Sequence, residues 1–219
     1  MSQFANPTGF FGRLLAKGMA SGHRDLYKNT AKGLNLQHDD SYLEIGFGSG
    51  LFIKKYVSNV SRIAGIDCSE DMVKLASRIN KNLIESGLAE FRHGDVISLP
   101  WKNNEFSVVV GIETFFFWPE PLVALKEIHR VLAPGGRLVI EMAFNKDDGR
   151  DHSKLCERIN LRLYSAQEME NMLHEAGFKN IVFDRFKSHR LPFKGYIVPK
   201  GMIVKAVKRG GQESGVRNQ

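Results

Sequence analysis

Apolar and polar positions alternate in blocks along the chain: short apolar runs are followed by longer stretches with helical spacing. Tyr42-Leu-Glu-Ile45 predicts a strand that runs into Gly46-Phe-Gly-Ser-Gly50, and Leu51 to Val57 continues as a short helix. Arg62-Ile-Ala-Gly-Ile-Asp67 predicts a second strand. Ser69 can cap the next helix, with Glu70 and Asp71 at its positive end. Met72, Ala76, Ile79 and Leu83 fall on one face of that helix. Ala89 to His93 is a weaker strand. Phe106 to Ile112 is a strong one, because Val108-Val-Val110 is β-branched and apolar on both faces, as suits a central parallel strand. Pro121 opens a helix whose face carries Leu122, Leu125, Ile128 and Leu132, and Pro134-Gly-Gly136 turns the chain into Arg137 to Glu141. Ser165-Ala-Gln-Glu168 is a capping box for a helix with Met169, Met172, Leu173 and Ala176 on its apolar face, ended by Gly177. Ile181 to Phe183 and Met202 to Val207 are the last strands.

Strand and helix in alternation predict an α/β three-layer fold with a mostly parallel sheet. A main domain over residues 39–209 carries one insertion and is flanked by two further segments. Residues 1–38 read as an N-terminal helical arm or lid carrying Phe10, Leu14, Leu15 and Leu26. Residues 143–164 read as a charged insertion after the fifth strand, placed to border an acceptor site. Residues 210–219 read as a flexible polar tail.

Composition excludes several classes. Hydrophobic residues make up 42% and charged residues 25%, as in an ordinary globular domain. Cys68 and Cys156 are too few for a disulfide framework, and no His/Cys/Asp cluster has metal-ligand spacing, so no metal is expected. The most apolar stretch, Val108 to Trp118, is broken by Glu113, so no membrane span is expected, and no secretory signal is read. A cytoplasmic location follows as the expectation. The net charge of +7 is spread along the chain without the aromatic interleaving of a nucleic-acid module, so no nucleic-acid partner is expected.

The chemistry concentrates at the strand ends. A strand entering glycines leaves backbone N–H groups bare and lets a ligand approach closely. The pattern is G-x-G-x-G, not the G-x-G-x-x-G that seats a pyrophosphate, which argues against a nicotinamide dehydrogenase. Asp67, at the end of strand two, can accept both hydroxyls of a ribose. Asp95 can accept the exocyclic amine of an adenine, with Val96 packing beside the ring. Glu44 discourages a pyrophosphate and welcomes a cationic ligand. Taken singly, these residues could be turn glycines and helix caps; together they read as a pocket for adenine, ribose and a positively charged or zwitterionic tail.

These residues resemble the class I S-adenosylmethionine-dependent methyltransferases of the small-molecule type, close to the methyltransferase type 11 group. The resemblance rests on Glu44-Ile-Gly-Phe-Gly-Ser-Gly50, on Gly65-Ile-Asp-Cys-Ser-Glu-Asp-Met72, on Gly94-Asp95 with Leu99-Pro100, on Gly111-Ile-Glu-Thr114 and on His129-Arg-Val-Leu-Ala-Pro-Gly-Gly136. It covers residues 38–142 closely. It implies a Rossmann-like fold with a seven-stranded sheet of order 3-2-1-4-5-7-6, the last strand antiparallel. It implies S-adenosyl-L-methionine as cofactor and S-adenosyl-L-homocysteine as product. Glu44, Gly46, Gly48 and Gly50 would then shape the methionine and ribose site, Asp67 would hold the ribose, and Cys68 or Met72 would pack on the adenine. Asp95 and Val96 would read the adenine edge, and the main chain at Gly111 would meet the methionine amino group.

The sequence departs from that family at two places. Ser107 stands where relatives often carry Asp, and Phe116 and Phe117 stand where they often place histidines. An aromatic wall of Phe115, Phe116, Phe117 and Trp118 therefore predicts a small hydrophobic acceptor, methylated by in-line displacement. Candidate bases are His23, Tyr27, His152 and Tyr164, each more ordinary as packing than as catalyst. The alternative is a module that binds S-adenosylmethionine for regulation without turnover. A nucleic-acid methyltransferase would need an Asn/Asp-Pro-Pro-Tyr-type segment or a catalytic cysteine after strand four, where Ile112-Glu-Thr-Phe115 stands. The partner expected is a small-molecule acceptor, the assembly a monomer or homodimer.

Overall fold

The computed structural model describes residues 24–186 and 201–210. Phe10, Leu14, Leu15 and His23 of the arm, the side chain of Leu26, and the tail beyond Gly210 lie outside the described residues. Helices are α1 (Arg24–Leu34), α2 (Leu51–Tyr56), α3 (Glu70–Ile79), α4 (Lys81–Glu85), α5 (Pro121–Val131), α6 (Ser153–Ile159) and α7 (Ala166–Glu175). Strands are β1 (Ser41–Ile45), β2 (Arg62–Asp67), β3 (Ala89–His93), β4 (Phe106–Ile112), β5 (Leu132–Met142), β6 (Phe178–Phe186) and β7 (Gly201–Lys208).

The strands form one seven-stranded sheet of order β3-β2-β1-β4-β5-β7-β6. The pairings from β3 to β5 are parallel, and β7 runs antiparallel to both β5 and β6. This is the predicted order. From β1 the chain steps outward through β2 and β3, then returns to place β4 on the other side of β1. The carboxyl ends of β1 and β4 therefore flank the switch point where such sheets bind ligands.

Two apolar clusters cover the sheet. Leu43, Ile45, Val109, Leu138 and Ile140 face α5 and α7 on one side, and Tyr42, Val108, Val110 and Val139 face Leu34, Phe52 and Ile53 on the other. Burial on both sides is why Val108-Val-Val110 reads as a continuous apolar run. The capping box at Ser165 and the Ser69 cap both form. Among the described residues, no helix is long and apolar enough to cross a membrane.

The structure corrects one helix. The periodicity through Leu83 predicts a single element, but α3 stops at Ile79 and α4 restarts at Lys81. Asn80 is fully buried at the break, and its side-chain amide donates to Gly50 O (3.1 Å) and Ala76 O (3.0 Å). An Asn that bonds backbone carbonyls this way competes with helix continuation. It also fastens the end of the glycine turn to α3.

Ser107, one of the two departures, is well used. Its hydroxyl donates to Asp40 Oδ1 (2.6 Å) and accepts from Ser41 N (3.0 Å), while Ser107 N donates to the Ser41 hydroxyl (2.9 Å). Asp40 also pairs with Arg137 of β5 at 2.5 Å. The amino ends of β1, β4 and β5 are thus laced together by side chains.

Candidate functional site

The glycine turn sets the geometry. Gly46, Gly48 and Gly50 have φ of +69°, +53° and +70°, in the left-handed region that L side chains adopt at a cost of roughly 1–2 kcal/mol. Their surroundings differ. A Cβ on Gly46 would collide with the Thr114 side chain. A Cβ on Gly50 would lie 2.7 Å from Asn80 Nδ2 and 2.8 Å from Ala76 Cβ. A Cβ on Gly48 would meet nothing within 4 Å. Gly46 and Gly50 serve packing, whereas Gly48 leaves open space. Gly50→Ala should therefore lower the melting temperature much more than Gly48→Ala, and Gly48→Ala should weaken ligand binding more than its small stability cost explains. Melting curves with and without S-adenosylhomocysteine check both; equal destabilisation by the two variants would contradict it.

Asp67 holds this turn. Its Oδ2 accepts from Gly48 N (2.8 Å) and its Oδ1 from Ser69 N (2.9 Å). One carboxylate thus ties the β1 turn to the start of α3. Burial pushes the Asp67 carboxyl up, and the two N–H donors and His93 pull it back.

A cavity of about 380 Å³ opens beside it, within the roughly 300–1,000 Å³ common for small-molecule sites. Ile45, Gly46, Ile66, Asp67 and Cys68 form its floor along the ends of β1 and β2, and Gly94, Asp95 and Val96 its side beyond β3. Thr114, Phe116, Phe117, Trp118 and Pro119 form the facing wall, and Asn160, Leu161 and Arg162 the cover. Arg162 N donates to Phe116 O (3.2 Å), which fastens the cover to that wall. Trp118 Nε1 donates to Thr114 Oγ1 (3.3 Å).

Five of the expected cofactor residues therefore share one cavity: Gly46, Asp67, Cys68, Asp95 and Val96. The others lie behind it. Gly48 is bonded to Asp67, and Gly50 caps α2. Met72 is fully buried on the inner side of α3. Gly111 sits beneath Thr114 and Trp118. Glu44 is buried and accepts from the Tyr42 hydroxyl (2.7 Å). Burial pushes its carboxyl up to about 8, with the charge of Asp67 adding to the rise and the Tyr42 hydrogen bond opposing it. The Cys68 thiol is pushed up to about 11 by burial and by Asp67 and Asp95, so it is a poor nucleophile.

Of the aromatic run, Phe115 is fully buried against Trp118 and Tyr164, while Phe116, Phe117 and Trp118 reach the cavity. The candidate bases are dispersed. Tyr27 packs edge-on against Phe52 and Tyr56. Tyr164 is buried with no hydrogen-bond partner for its hydroxyl among the described residues. His152 Nε2 lies 2.6 Å from Asp148 Oδ2, both side chains buried, and its Nδ1 has no hydrogen-bond partner among the described residues. Sequence reasoning did not single out Thr114, which follows a strand end at the switch point and could have been flagged by it; Asn160, Leu161 and Arg162 fall within the 143–164 segment expected to border an acceptor site. Among the described residues, no group of three His, Cys, Asp or Glu side chains could hold a metal ion.

This arrangement has relatives. The methyltransferase-domain family matches residues 43–140, which span the glycine turn, Asp67, Asp95 and β4. Over these residues, a little under half of its length, the chain is similar to the class I S-adenosylmethionine-dependent methyltransferases. It is 30% identical over 142 residues to a demethylmenaquinone methyltransferase of Staphylococcus saprophyticus, covering 62% of this chain and 58% of that protein. The chain thus spans little more than half of that relative. It is 27% identical over 166 residues to the methyltransferase YdaC of Bacillus subtilis, covering 74% of this chain and 88% of that protein. A chain of the complex between the Haloferax volcanii Trm112 methyltransferase activator and a methyltransferase has the same fold, with a TM-score of 0.76 at 20% identity over 91% of this chain and 95% of that one. The cavity's residues fit the cofactor that this similarity implies: a carboxylate at the end of β2, another beyond β3, and glycine backbone at Gly46, with the open space at Gly48 behind it.

Proposed function

We propose that the protein moves a methyl group from S-adenosyl-L-methionine to a small acceptor with a hydrophobic body. The observation that carries this reading is the Asp67 clasp on Gly48, opening on a cavity whose far wall is aromatic. S-adenosylmethionine, when bound, supplies a methyl already activated by a positive sulfur. The chain's own work is to bind, align and keep water out. Asp67 and Asp95 would hold ribose and adenine. Phe116, Phe117 and Trp118 line the cavity, and aromatic rings tolerate a cation and shed water.

The relative from Staphylococcus saprophyticus is named for demethylmenaquinone, a small molecule, and this supports an acceptor of that size. Calorimetry with S-adenosylmethionine and S-adenosylhomocysteine tests the first half of the proposal. Binding in the micromolar range is expected, and no heat at millimolar ligand would remove the proposal. Release of S-adenosylhomocysteine in the presence of hydrophobic acceptors tests the second half. A protein that binds the cofactor and never consumes it would instead be a binding module.

A further inference from the structure

The segment that covers the cavity presents Arg162 between two leucines and beside a tyrosine. Leu161, Leu163 and Tyr164 are buried and pack into the two apolar clusters, while Arg162 is exposed and lines the cavity. The Arg162 backbone N–H is bonded to Phe116 O of the aromatic wall, so the residue is anchored there. Its guanidinium carbon lies 5.3 Å from the centre of the Tyr164 ring. That ring packs edge-on against Phe115 (4.9 Å), and Phe115 packs against Trp118 (4.8 Å). A stack of rings therefore connects the cavity wall to the guanidinium and sets where its charge stands.

Both polar ends are unspent. The Arg162 guanidinium makes no ion pair or hydrogen bond with any described residue. The Tyr164 hydroxyl is buried without a hydrogen-bond partner among the described residues. The Arg162 charge acts on that hydroxyl, so the two groups are neighbours. Glu168, the acid whose charge also acts on Tyr164, already accepts from Ser165 N and pairs with Lys146. Asp67 on the cavity floor spends both oxygens on Gly48 N and Ser69 N. Among the described residues that line the cavity, Arg162 alone carries a positive side chain. A buried O–H without an acceptor is costly, and a phenylalanine would fill the same space without that cost. A guanidinium offers a planar fork of N–H donors that matches a carboxylate, and the hydroxyl adds one more donor.

We infer that Arg162 and Tyr164 form a subsite for a carboxylate on the methyl acceptor. The acceptor is then a small acid whose apolar body lies against Phe116, Phe117 and Trp118, with its acid end on the cover. The cavity is laid out by sign to suit this. Asp67 and Asp95 stand where ribose and adenine are expected, and they repel a negative group. The resemblance puts the amino-acid end of S-adenosylmethionine at the glycine turn and at Gly111, beneath Thr114. Arg162 belongs instead to the cover, on the side of the aromatic wall. It breaks no ion pair to turn toward a ligand, and expelling water from the cavity strengthens its pull on an anion. The inference deepens the methyltransferase reading and rests on it only for calling the acid an acceptor.

The test uses the whole chain with Arg162→Gln and Tyr164→Phe. Calorimetry in the presence of S-adenosylhomocysteine measures benzoate, 3-phenylpropionate and hexanoate, each against its amide. The wild type should bind at least one acid tenfold or more tighter than the matching amide. Arg162→Gln should erase that preference and bind S-adenosylhomocysteine within threefold of the wild type. Tyr164→Phe should weaken the same acid threefold or more without lowering the melting temperature, because the lost hydroxyl bonds no described residue. The inference is overturned if the wild type prefers no acid, or if the preference survives Arg162→Gln. An unchanged acid affinity in Tyr164→Phe overturns the part given to Tyr164. Arg162→Gln could instead lose tenfold for S-adenosylhomocysteine and nothing for 5′-methylthioadenosine, which lacks the amino-acid end. Arg162 would then serve the cofactor, which also overturns the inference. A wild type that binds no S-adenosylhomocysteine would sink the methyltransferase reading alone, and the acid series without it would still decide the subsite. The wild-type comparison needs no variant, so it stands even if a substituted chain misfolds.

Discussion

Asp67→Ala should lower the affinity for S-adenosylhomocysteine at least a hundredfold, about 2.7 kcal/mol of binding free energy. The effect has two parts. The carboxylate leaves the cavity floor, so a ribose loses its acceptor. The Gly48 and Ser69 N–H groups also lose their common partner, so the glycine turn is no longer tied to α3. Each donor left unpaired in this buried setting costs roughly 1–3 kcal/mol, so the melting temperature should fall by several degrees as well. Asp67→Asn should be nearly as damaging, although it keeps the shape. Both carboxylate oxygens accept N–H groups, and an amide has one acceptor, so its NH2 must face a donor. Calorimetry on the two variants, with melting curves to confirm folding, decides the matter. An Asp67→Ala protein that binds within threefold of the wild type would refute this account of the cofactor site.

The second large effect is on stability against pH. Glu44 titrates near 4.5 when unfolded and is held up to about 8 in the folded chain, chiefly by burial. Between those values the folded chain keeps a proton that the unfolded chain has lost. Stability therefore falls as pH rises through this window, by up to ~1.4 kcal/mol per pH unit for one such group, and levels off above it. Glu113 and Glu141 act in the same direction, because both are raised. Carboxylates held low by arginines, such as Glu90, Glu105 and Glu127, lose their stabilising contribution only as the chain is acidified. Glu44→Gln keeps an acceptor for the Tyr42 hydroxyl and removes the titration. Denaturant unfolding at pH 5, 7 and 9 should show the variant matching the wild type at pH 5 and exceeding it by several kcal/mol at pH 9. Parallel curves would show that Glu44 does not carry the effect.

Much of this was legible in the sequence because local and global signals agree. The valine run at 108–110 is buried on both sides, as its composition says. The glycines at 46, 48 and 50 need the backbone that only glycine adopts cheaply. The Ser165 box forms because both of its partners are four residues apart or less. What escaped depends on long-range placement. Asn80 looks like one polar residue on a helix, and its power to end that helix comes from the Gly50 carbonyl across the turn. Met72 sits on the apolar face that sequence spacing identified, and it is buried there as such a face predicts; its place against an adenine was implied by the resemblance alone. The grouping of Glu44 with Glu141 was least legible, because only the strand order β1-β4-β5 brings them to one face.

The segment over the cavity is tied at its two ends, and its Leu161, Leu163 and Tyr164 pack into the core below. Lys146 N bonds Tyr164 O (3.0 Å), Ala166 N bonds Asp147 Oδ2 (2.8 Å), and Lys146 pairs with Glu168. Its entry and exit are therefore stitched into a neck, and Arg162 N to Phe116 O is a single backbone bond from its far side to the wall below. Such a neck confines variation: the exposed residues between Asp147 and Tyr164 can change while the neck, the buried His152–Asp148 pair and the core-packed Leu161 and Leu163 hold the segment over the strands.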